Sequence, residues 1–170
     1  MKNQGQIISC DIHPHKIRLM EAGRNRLGLS IIEPQLQDAT ECQTEWLERF
    51  DVVLVDVPCS GLGIIRKKPD IRYKHEAAID GLPRIQQTIL DNCSQYVRRG
   101  GVLVYSTCTL LRQENEGVVE AFLKTHPQFC IESFDLPEIG LQPGRMTFWP
   151  HVHGTDGFFI AKLRREGGAV

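Results

Sequence analysis

One stretch of the sequence constrains the fold more than any other, and it is residues 51–58, which read DVVLVDVP. Four of its first five residues are apolar, and apolar and polar positions do not alternate along it. A strand with water on one face shows such alternation, whereas a strand that is covered on both faces does not. We therefore predict a buried strand here, in a sheet that is covered on both faces.

Shorter strand and helix patterns alternate on either side of this strand. The strand candidates are residues 6–10, 30–34 and 102–106, with further ones near 129–134, 146–149 and 157–163. The helix candidates are residues 13–28, 44–50, 76–98 and 113–126. Such alternation is typical of a mostly parallel sheet with right-handed crossovers. We therefore predict a doubly wound α/β fold, and the length of 170 residues suits a single domain over residues 1–170.

Special residues follow four predicted strands at the points where the strands end. They are Asp11 after the first strand, Asp38 in the loop after the second, Asp56 and Cys59 after the third, and Ser106 and Cys108 after the fourth. Each group alone has an ordinary explanation, because an aspartate after a strand often caps the next helix. Ligands of doubly wound sheets bind beyond the carboxyl ends of the strands, so the shared position favours a single functional site.

The charge pattern contains one local basic run in a chain without an overall positive field. The net charge is −1, which does not by itself indicate a nucleic-acid partner. Residues 64–74 carry five basic side chains against the single acid Asp70, namely Arg66, Lys67, Lys68, Arg72 and Lys74. Taken alone, this run is more often a solvated loop than an RNA contact. Beside two cysteines, it can hold a polyanion and lower the pKa of a thiol.

The six cysteines show no CxxC spacing, so a zinc site of that pattern is not indicated. No secretory segment is recognisable, and no apolar run reaches the roughly 18 residues of a membrane span. We expect a cytoplasmic protein with reduced thiols, in which Cys10, Cys93 and Cys130 are buried as small apolar residues. Cys42 lies in a polar stretch and is left unassigned.

Two of the aspartates suit an adenosine ligand. Asp11 can accept hydrogen bonds from the two hydroxyls of a ribose, and Asp38 can accept one from an adenine amino group. A glycine-rich loop normally cradles the rest of such a ligand. No GxGxxG motif follows a strand here, and GLG at residues 61–63 is too short and follows the wrong strand.

The two cysteines suit covalent chemistry on a pyrimidine. If the third and fourth strands are neighbours, Cys59 and Cys108 lie side by side, and a thiolate at this position is a nucleophile. Asp56 can accept a hydrogen bond from an exocyclic amine such as cytosine N4. A thiolate that adds to C6 makes C5 carbanion-like, so that C5 captures an electrophile. One thiol can serve as the nucleophile while the other assists release.

At these residues the sequence resembles a known family. PCSGLG at residues 58–63 and YSTCTLLRQENE at residues 105–116 are similar to motifs of the NOL1/NOP2/Sun family of RNA (cytosine-5) methyltransferases. Further segments, among them DIHPHKIRLMEAGRNRLG, QQTIL and DGFFIAKLRR, extend the resemblance over nearly all of residues 5–165.

The resemblance implies a Rossmann-like methyltransferase fold, S-adenosyl-L-methionine as the methyl donor and cytosine in 16S rRNA as the target. It implies that Cys108 is the nucleophile, that Cys59 assists release of the product and that Asp56 lies near the base and the methyl donor. It also implies that Asp11 and Asp38 are the ribose-side and adenine-side acids.

One part of the family pattern has no counterpart in the sequence. The family has a first strand and a glycine-rich loop of the form AAPGGKT before the ribose acid, whereas only ten residues precede Asp11. We therefore expect the C-terminal portion of a catalytic domain that lacks the first strand and its loop, with weak or no cofactor binding and no activity as an isolated fragment. We also expect the sheet to compensate by direct pairing of the flanking strands or by a homodimer.

Two other functions are compatible with the residues. A non-catalytic RNA-binding or scaffold protein can keep the fold without the chemistry. A thiol redox protein can use Cys59 and Cys108, although redox pairs usually have CxxC spacing.

Overall fold

The computed structural model describes residues 1–75 and 77–167, and these form two compact units. The first unit is Met1–Cys42 and the second is Gln43–Val170. No helix in the described part of the chain is long and apolar enough to cross a membrane.

The first unit is a β–α–β arrangement. Strand β1 (Ile7–Asp11) leads through helix α1 (Pro14–Arg26) to strand β2 (Ile32–Leu36), and the two strands pair in parallel from Ile7↔Ile32 to Asp11↔Leu36. Pro14 begins the helix, where its missing N–H leaves no helical hydrogen bond unmade. The strand pattern predicted β2 two residues too early, at 30–34.

The second unit contains a five-stranded sheet in the order β3–β4–β9–β5, with β8 also paired to β9. Its strands are β3 (Phe50–Asp56), β4 (Val97–Thr107), β5 (Phe129–Ile131), β8 (Arg145–Phe148) and β9 (Phe158–Arg165). β3 and β4 are parallel, as the pattern predicts, and β9 runs antiparallel to β4, β5 and β8. The parallel pair places the residues that follow β3 and β4 at one edge of the sheet.

The helices and the small second sheet complete this unit. The helices are α2 (Ala77–Asp80), α3 (Leu82–Ser94), α4 (Glu116–Thr125) and α5 (Pro150–His153), and β6 (Phe134–Leu136) pairs with β7 (Gly140–Gln142). Short 3-10 turns lie at Thr44–Trp46, Leu62–Ile64, Pro69–Tyr73 and Arg112–Glu114. The helix predicted over 76–98 ends at Ser94 because Val97, which also fits the helical spacing, instead pairs with Phe50 as the first residue of β4.

The core of the second unit lies between the sheet and helices α3 and α4. Its side chains are apolar and completely buried, and they include Leu90, Val97, Leu103, Tyr105, Phe122, Phe159 and Leu163. Burial of each such side chain contributes about 1.5–3 kcal/mol relative to exposure. This packing fixes β4, the strand that leads into Cys108.

The structure confirms an α/β architecture but corrects the expected cover of β3. Val52 and Leu54 are 59% and 68% exposed, so one face of this strand is open rather than buried. The expected direct pairing of flanking strands is also wrong, because among the described residues β1 pairs only with β2 and β3 only with β4. β3 therefore lies at an open edge of the five-stranded sheet.

The expected burial of three cysteines is correct for one of them. Cys93 is buried, whereas Cys10 and Cys130 are exposed. Cys10 lies in a two-stranded sheet, and Cys130 lies in the strand that ends the five-stranded sheet, so each has an open side. The prediction of a single domain over residues 1–170 stays a prediction beside the two compact units.

Candidate active site

The two cysteines of interest meet at the carboxyl ends of β3 and β4. The strands pair in parallel with Asp56 opposite Ser106, and the backbone N–H of Val57 continues the ladder by donating to the Ser106 carbonyl at 3.2 Å. Because Cys59 and Cys108 follow this pair by three and two residues, they lie at the same edge. Their Sγ atoms are 3.1 Å apart. The sequence prediction that they lie side by side is therefore confirmed.

The chain after Cys59 folds back over Cys108. Gly61 has a φ of 77°, which starts the turn, and the Gly63 N–H donates to the Cys108 carbonyl at 3.0 Å. The Gly157 N–H in turn donates to the Gly63 carbonyl at 2.8 Å. A Cβ on Gly63 would lie 2.0 Å from the Gly157 carbonyl oxygen, so this approach requires glycine.

Buried polar side chains join the two cysteine loops beneath the sulfur atoms. Ser60 and Thr109 are both completely buried, and their hydroxyl oxygens are 2.7 Å apart. Asn115 donates to the Thr109 carbonyl at 3.1 Å and accepts from the Thr107 hydroxyl at 2.5 Å. Hydrogen bonds of this kind cost little when every group is paired, and they hold the two loops in one arrangement.

The pKa values of the two thiols are shifted in opposite directions. A hydrogen bond from Cys59 lowers the pKa of Cys108 to about 7, and Lys68 also lowers it, while burial and the carboxylate of Asp56 oppose them. The same hydrogen bond, burial and the negative charge on Cys108 raise the pKa of Cys59. These shifts favour Cys59 as the hydrogen-bond donor and Cys108 as the thiol that ionises first. A thiolate is the nucleophilic form of cysteine, so this arrangement suits Cys108 as a nucleophile.

Asp56 lies beside the pair and is open to solvent. Its Oδ1 accepts a hydrogen bond from the Ser106 hydroxyl at 3.0 Å, which fixes the orientation of the carboxylate at the end of β3. Its negative charge acts on the Cys108 thiol, so the two groups share one electrostatic environment. An exposed, oriented carboxylate next to a thiolate can accept a hydrogen bond from a ligand amine.

The basic run packs onto the loop that carries Cys59. Ile71 is buried, Lys67 forms a 2.5 Å ion pair with Asp156, and Lys74 donates to the Ser60 carbonyl at 2.8 Å. Arg66, Lys68 and Arg72 are exposed. The run is therefore an ordered part of the site rather than a free loop, and it presents positive charge next to the cysteines.

Asp11 and Asp38 lie in the first unit. The Asp11 carboxylate accepts from the His13 N–H at 2.9 Å, as in a turn that leads into α1. Asp38 Oδ1 accepts from the Thr40 hydroxyl at 2.7 Å and from its N–H at 2.8 Å, and these bonds lower the pKa of Asp38. Asp11 is the last residue of β1 and Asp38 follows β2, so both lie at the carboxyl ends of parallel strands, while Asp56, Cys59 and Cys108 belong to the second unit.

Sequence reasoning missed the polar residues that support the cysteines. These are Ser60, Gln86, Thr109, Glu114 and Asn115. Gln86 was detectable as the polar exception on the apolar face of α3, between Leu82 and Ile89. Glu114 and Asn115 carry no such signal, because acidic and amide residues before a helix are usually exposed.

Comparison with known proteins adds independent evidence. A family model described as 16S rRNA methyltransferase RsmB/F matches residues 1–164. The probable ribosomal RNA small subunit methyltransferase B of Bacillus subtilis (strain 168) is 44% identical over 176 residues, which cover 98% of this chain and 39% of the relative. Ribosomal RNA small subunit methyltransferase F of Aeromonas hydrophila is 35% identical, with 98% of this chain and 36% of the relative covered. The chain thus spans about two fifths of the length of these relatives.

Solved structures give the same result for the fold. The crystal structure of PH0851 aligns with a TM-score of 0.87 at 34% identity, over 96% of this chain and 38% of that one. The structure of NSun6 from Pyrococcus horikoshii with SFG aligns with a TM-score of 0.79 at 35% identity, over 96% of this chain and 42% of that one. These neighbours confirm the predicted Rossmann-like methyltransferase fold.

Proposed function

Because the chain belongs to the 16S rRNA methyltransferase RsmB/F family, we propose that it takes part in S-adenosyl-L-methionine-dependent methylation of cytosine C5 in 16S rRNA. The observation that carries this proposal is the contact between a low-pKa Cys108 and a protonated Cys59, 3.1 Å apart beside an oriented Asp56. A thiolate, an acid and an acceptor for an amine are the three groups that covalent attack on cytosine requires.

Cys108 forms the covalent bond in this scheme. Its thiolate adds to C6 of the cytosine, and the electron pair of the C5–C6 double bond becomes available at C5. S-adenosyl-L-methionine, when bound, supplies the methyl group that C5 takes up. Transfer of the C5 proton to a water molecule then restores the double bond and expels the Cys108 thiolate, so the enzyme is regenerated.

Asp56 acts on the base before the attack by Cys108, and Cys59 acts when the Cys108 thiolate leaves the ring. Asp56 accepts a hydrogen bond from the N4 amine, which orients the ring for attack and distinguishes cytosine from uracil. Cys59 stabilises the Cys108 thiolate by hydrogen bonding, and that interaction is strongest when Cys108 leaves the ring. The proposal therefore assigns Cys59 to product release.

The acidic residues of the first unit fit an adenosine. Asp11 ends one strand of a parallel pair and Asp38 follows the other, and each uses one carboxylate oxygen, Oδ1, in a turn hydrogen bond. The second oxygen of each can accept from a ribose hydroxyl or an adenine amine. A related structure was determined with SFG, an analogue of S-adenosyl-L-methionine, which supports the same ligand class here.

The exposed arginines and lysine of the basic run are proposed to contact the RNA backbone. Arg66, Lys68 and Arg72 lie on an ordered segment that is attached to the Cys59 loop through Lys74 and Ser60. Positive side chains at this place neutralise phosphates and bring the target base to the cysteines.

We also propose that the protein forms a homodimer through β3. This strand ends the five-stranded sheet, and Val52 and Leu54 on it are 59% and 68% exposed. An open strand with apolar side chains can pair with the same strand of a second copy about a two-fold axis. Such pairing buries the apolar side chains of both strands.

The enzymatic proposal is tested by methyl transfer. The chain, joined to the first strand and glycine-rich loop that the family pattern places before Asp11, is incubated with isotope-labelled S-adenosyl-L-methionine and unmodified 16S rRNA, and the RNA is digested to nucleosides. Labelled 5-methylcytidine that disappears with Cys108→Ala supports the proposal. Retention of the RNA without any labelled nucleoside supports the non-catalytic RNA-binding alternative instead.

A further inference from the structure

Glu114 is a completely buried carboxylate beneath the two cysteine loops, and the mechanism above does not use it. It lies in the turn Arg112–Glu114, just before helix α4. A carboxylate in such a place is costly unless its hydrogen bonds compensate for the lost hydration. Its partners therefore indicate what it does.

Both hydrogen-bond partners of Glu114 connect it to the residues on either side of Cys59. Glu114 Oε2 accepts from the Ser60 backbone N–H at 2.9 Å and from Gln86 Nε2 at 2.8 Å. Gln86 Nε2 also donates to the Pro58 carbonyl at 2.9 Å. The residues immediately before and after Cys59 are thus held by one buried pair, which comes from helix α3 and the turn before α4.

The burial of Glu114 and Gln86 also costs free energy. Among the described residues, Glu114 Oε1 and Gln86 Oε1 are buried and make no hydrogen bond with the protein. Apolar residues of similar volume would fill this space without that cost, so packing alone does not account for a glutamate and a glutamine here. What these two residues provide, and apolar ones would not, is the fixed position of the Pro58–Ser60 turn.

We propose that Glu114 and Gln86 are positioning residues that hold the Cys59 thiol within hydrogen-bonding distance of Cys108. The proposal deepens the proposed function, on which it rests for the role of Cys108 as nucleophile. The geometry also makes Cys59 sensitive to small changes, since a shift of the turn by about 1 Å would weaken the sulfur–sulfur hydrogen bond.

The consequence is measurable in the free protein. If the turn moves, Cys108 loses the hydrogen bond that contributes most to its low pKa. The pKa of Cys108 then rises from about 7 toward the ordinary thiol value of about 8.5. A role limited to folding would lower stability without moving this pKa in the molecules that remain folded.

The experiment follows alkylation of Cys108 by iodoacetamide as a function of pH, with mass spectrometry of the Cys108 peptide. The wild type is expected to show a midpoint near pH 7, and Glu114→Ala a midpoint more than about one pH unit higher, near the ordinary thiol value. Glu114→Gln keeps an oxygen that can accept from Ser60, so it is expected to restore part of the shift. Glu116→Ala, two residues away at the start of α4, is the matched control and should leave the midpoint unchanged.

A folded Glu114→Ala protein with the wild-type midpoint overturns the proposal, and so does a wild-type midpoint at the ordinary thiol value. Folding is checked by circular dichroism. If Glu114→Ala does not fold, Gln86→Met removes the donor to Pro58 at nearly constant volume, with Gln87→Met as its neighbour control on α3. An upward shift with Gln86→Met alone supports the proposal, and identical midpoints for the two variants overturn it.

The readout needs neither RNA nor methyl donor, so it separates this proposal from the proposed function. A shifted midpoint together with failure of methyl transfer keeps the positioning role and removes the assigned chemistry. Methyl transfer with an unshifted midpoint keeps the proposed function and removes the positioning role of Glu114 and Gln86.

Discussion

At the scale of single residues, the site depends on an asymmetry between two identical side chains. Cys59 and Cys108 have the same chemistry, but their contact lowers the pKa of Cys108 and raises that of Cys59. Lys68 adds positive charge on the side of Cys108, whereas burial and the neighbouring negative charge keep Cys59 protonated. The environment rather than the residue type therefore shifts the two thiol pKa values in opposite directions, and this difference is why we propose Cys108 as the nucleophile.

The first prediction concerns the acidity of Cys108. Cys59→Ala removes the hydrogen bond that lowers its pKa, so the midpoint for its alkylation should rise from about 7 toward about 8.5. Below its pKa the thiol is protonated and unreactive, so the variant should lose reactivity mainly near pH 7. Cys59→Ser keeps a hydroxyl donor and should shift the midpoint less. Equal midpoints in Cys59→Ala and the wild type would contradict the assignment.

The second prediction concerns Gly63. Its Cβ would lie 2.0 Å from the Gly157 carbonyl oxygen and 2.8 Å from that of Cys108. Gly63→Ala must therefore displace backbone, and we expect it to reduce the free energy of unfolding by about 1–3 kcal/mol. Chemical denaturation measures this change. Gly81→Ala, where a Cβ meets nothing within 4 Å, is the control and should have little effect.

At the scale of elements, the loop between β3 and α2 both packs against the cysteine site and carries exposed positive charge. The segment after Cys59 covers Cys108 through Gly63, forms an ion pair with Asp156 through Lys67 and returns to Ser60 through Lys74. Its remaining positive side chains are exposed. One ordered segment thus shapes the reactive site and presents charge for a polyanion.

The third prediction concerns RNA binding by this segment. Arg66 and Arg72 are exposed, and changing both to alanine should weaken binding to 16S rRNA and reduce the salt dependence of its affinity. If each contacts a phosphate of unpaired RNA, the slope of log K against log salt should fall by about 0.7 for each residue. Lys124→Ala, an exposed change on α4, is the charge control. An unchanged slope in the double variant would place the RNA elsewhere.

The sequence predicts the strands and helices better than it predicts which neighbours cover their side chains. The apolar run of β3 and the position of Cys59 and Cys108 after β3 and β4 follow from local pattern and the parallel-sheet rule, and both are correct. The open face at Val52 and Leu54 is not predictable, because an apolar residue has the same pattern whether or not a neighbour covers it. Glu114 is missed for a related reason, since its burial depends on partners distant in sequence, Ser60 and Gln86.

At the scale of the whole molecule, the second unit has a well-filled core on one side and an open strand on the other. Helices α3 and α4 contribute fully buried side chains such as Leu90 and Phe122, whereas β3 exposes Val52 and Leu54. Exposed apolar side chains on a sheet edge are a typical site of association.

The fourth prediction concerns this association. The wild-type protein should sediment as a dimer in analytical ultracentrifugation, and Val52→Lys with Leu54→Lys should convert it to a monomer, because charged side chains at the edge oppose pairing. Leu141→Lys is the control, since Leu141 on β7 is also an exposed apolar residue, at 74%. A monomeric wild type, or a lysine variant that remains dimeric, would contradict the proposed interface.

The central claim is that Cys108 attacks the base and Cys59 does not. The most direct measurement is covalent trapping on 16S rRNA substituted with 5-fluorocytosine, in the presence of S-adenosyl-L-methionine, because the fluorine at C5 prevents release of the methylated adduct. In this chain joined to the first strand and glycine-rich loop of the family pattern, the account predicts a denaturation-resistant protein–RNA complex with the native cysteines and with Cys59→Ser, and none with Cys108→Ser. A complex that survives Cys108→Ser, or one that only Cys59→Ser abolishes, would contradict it.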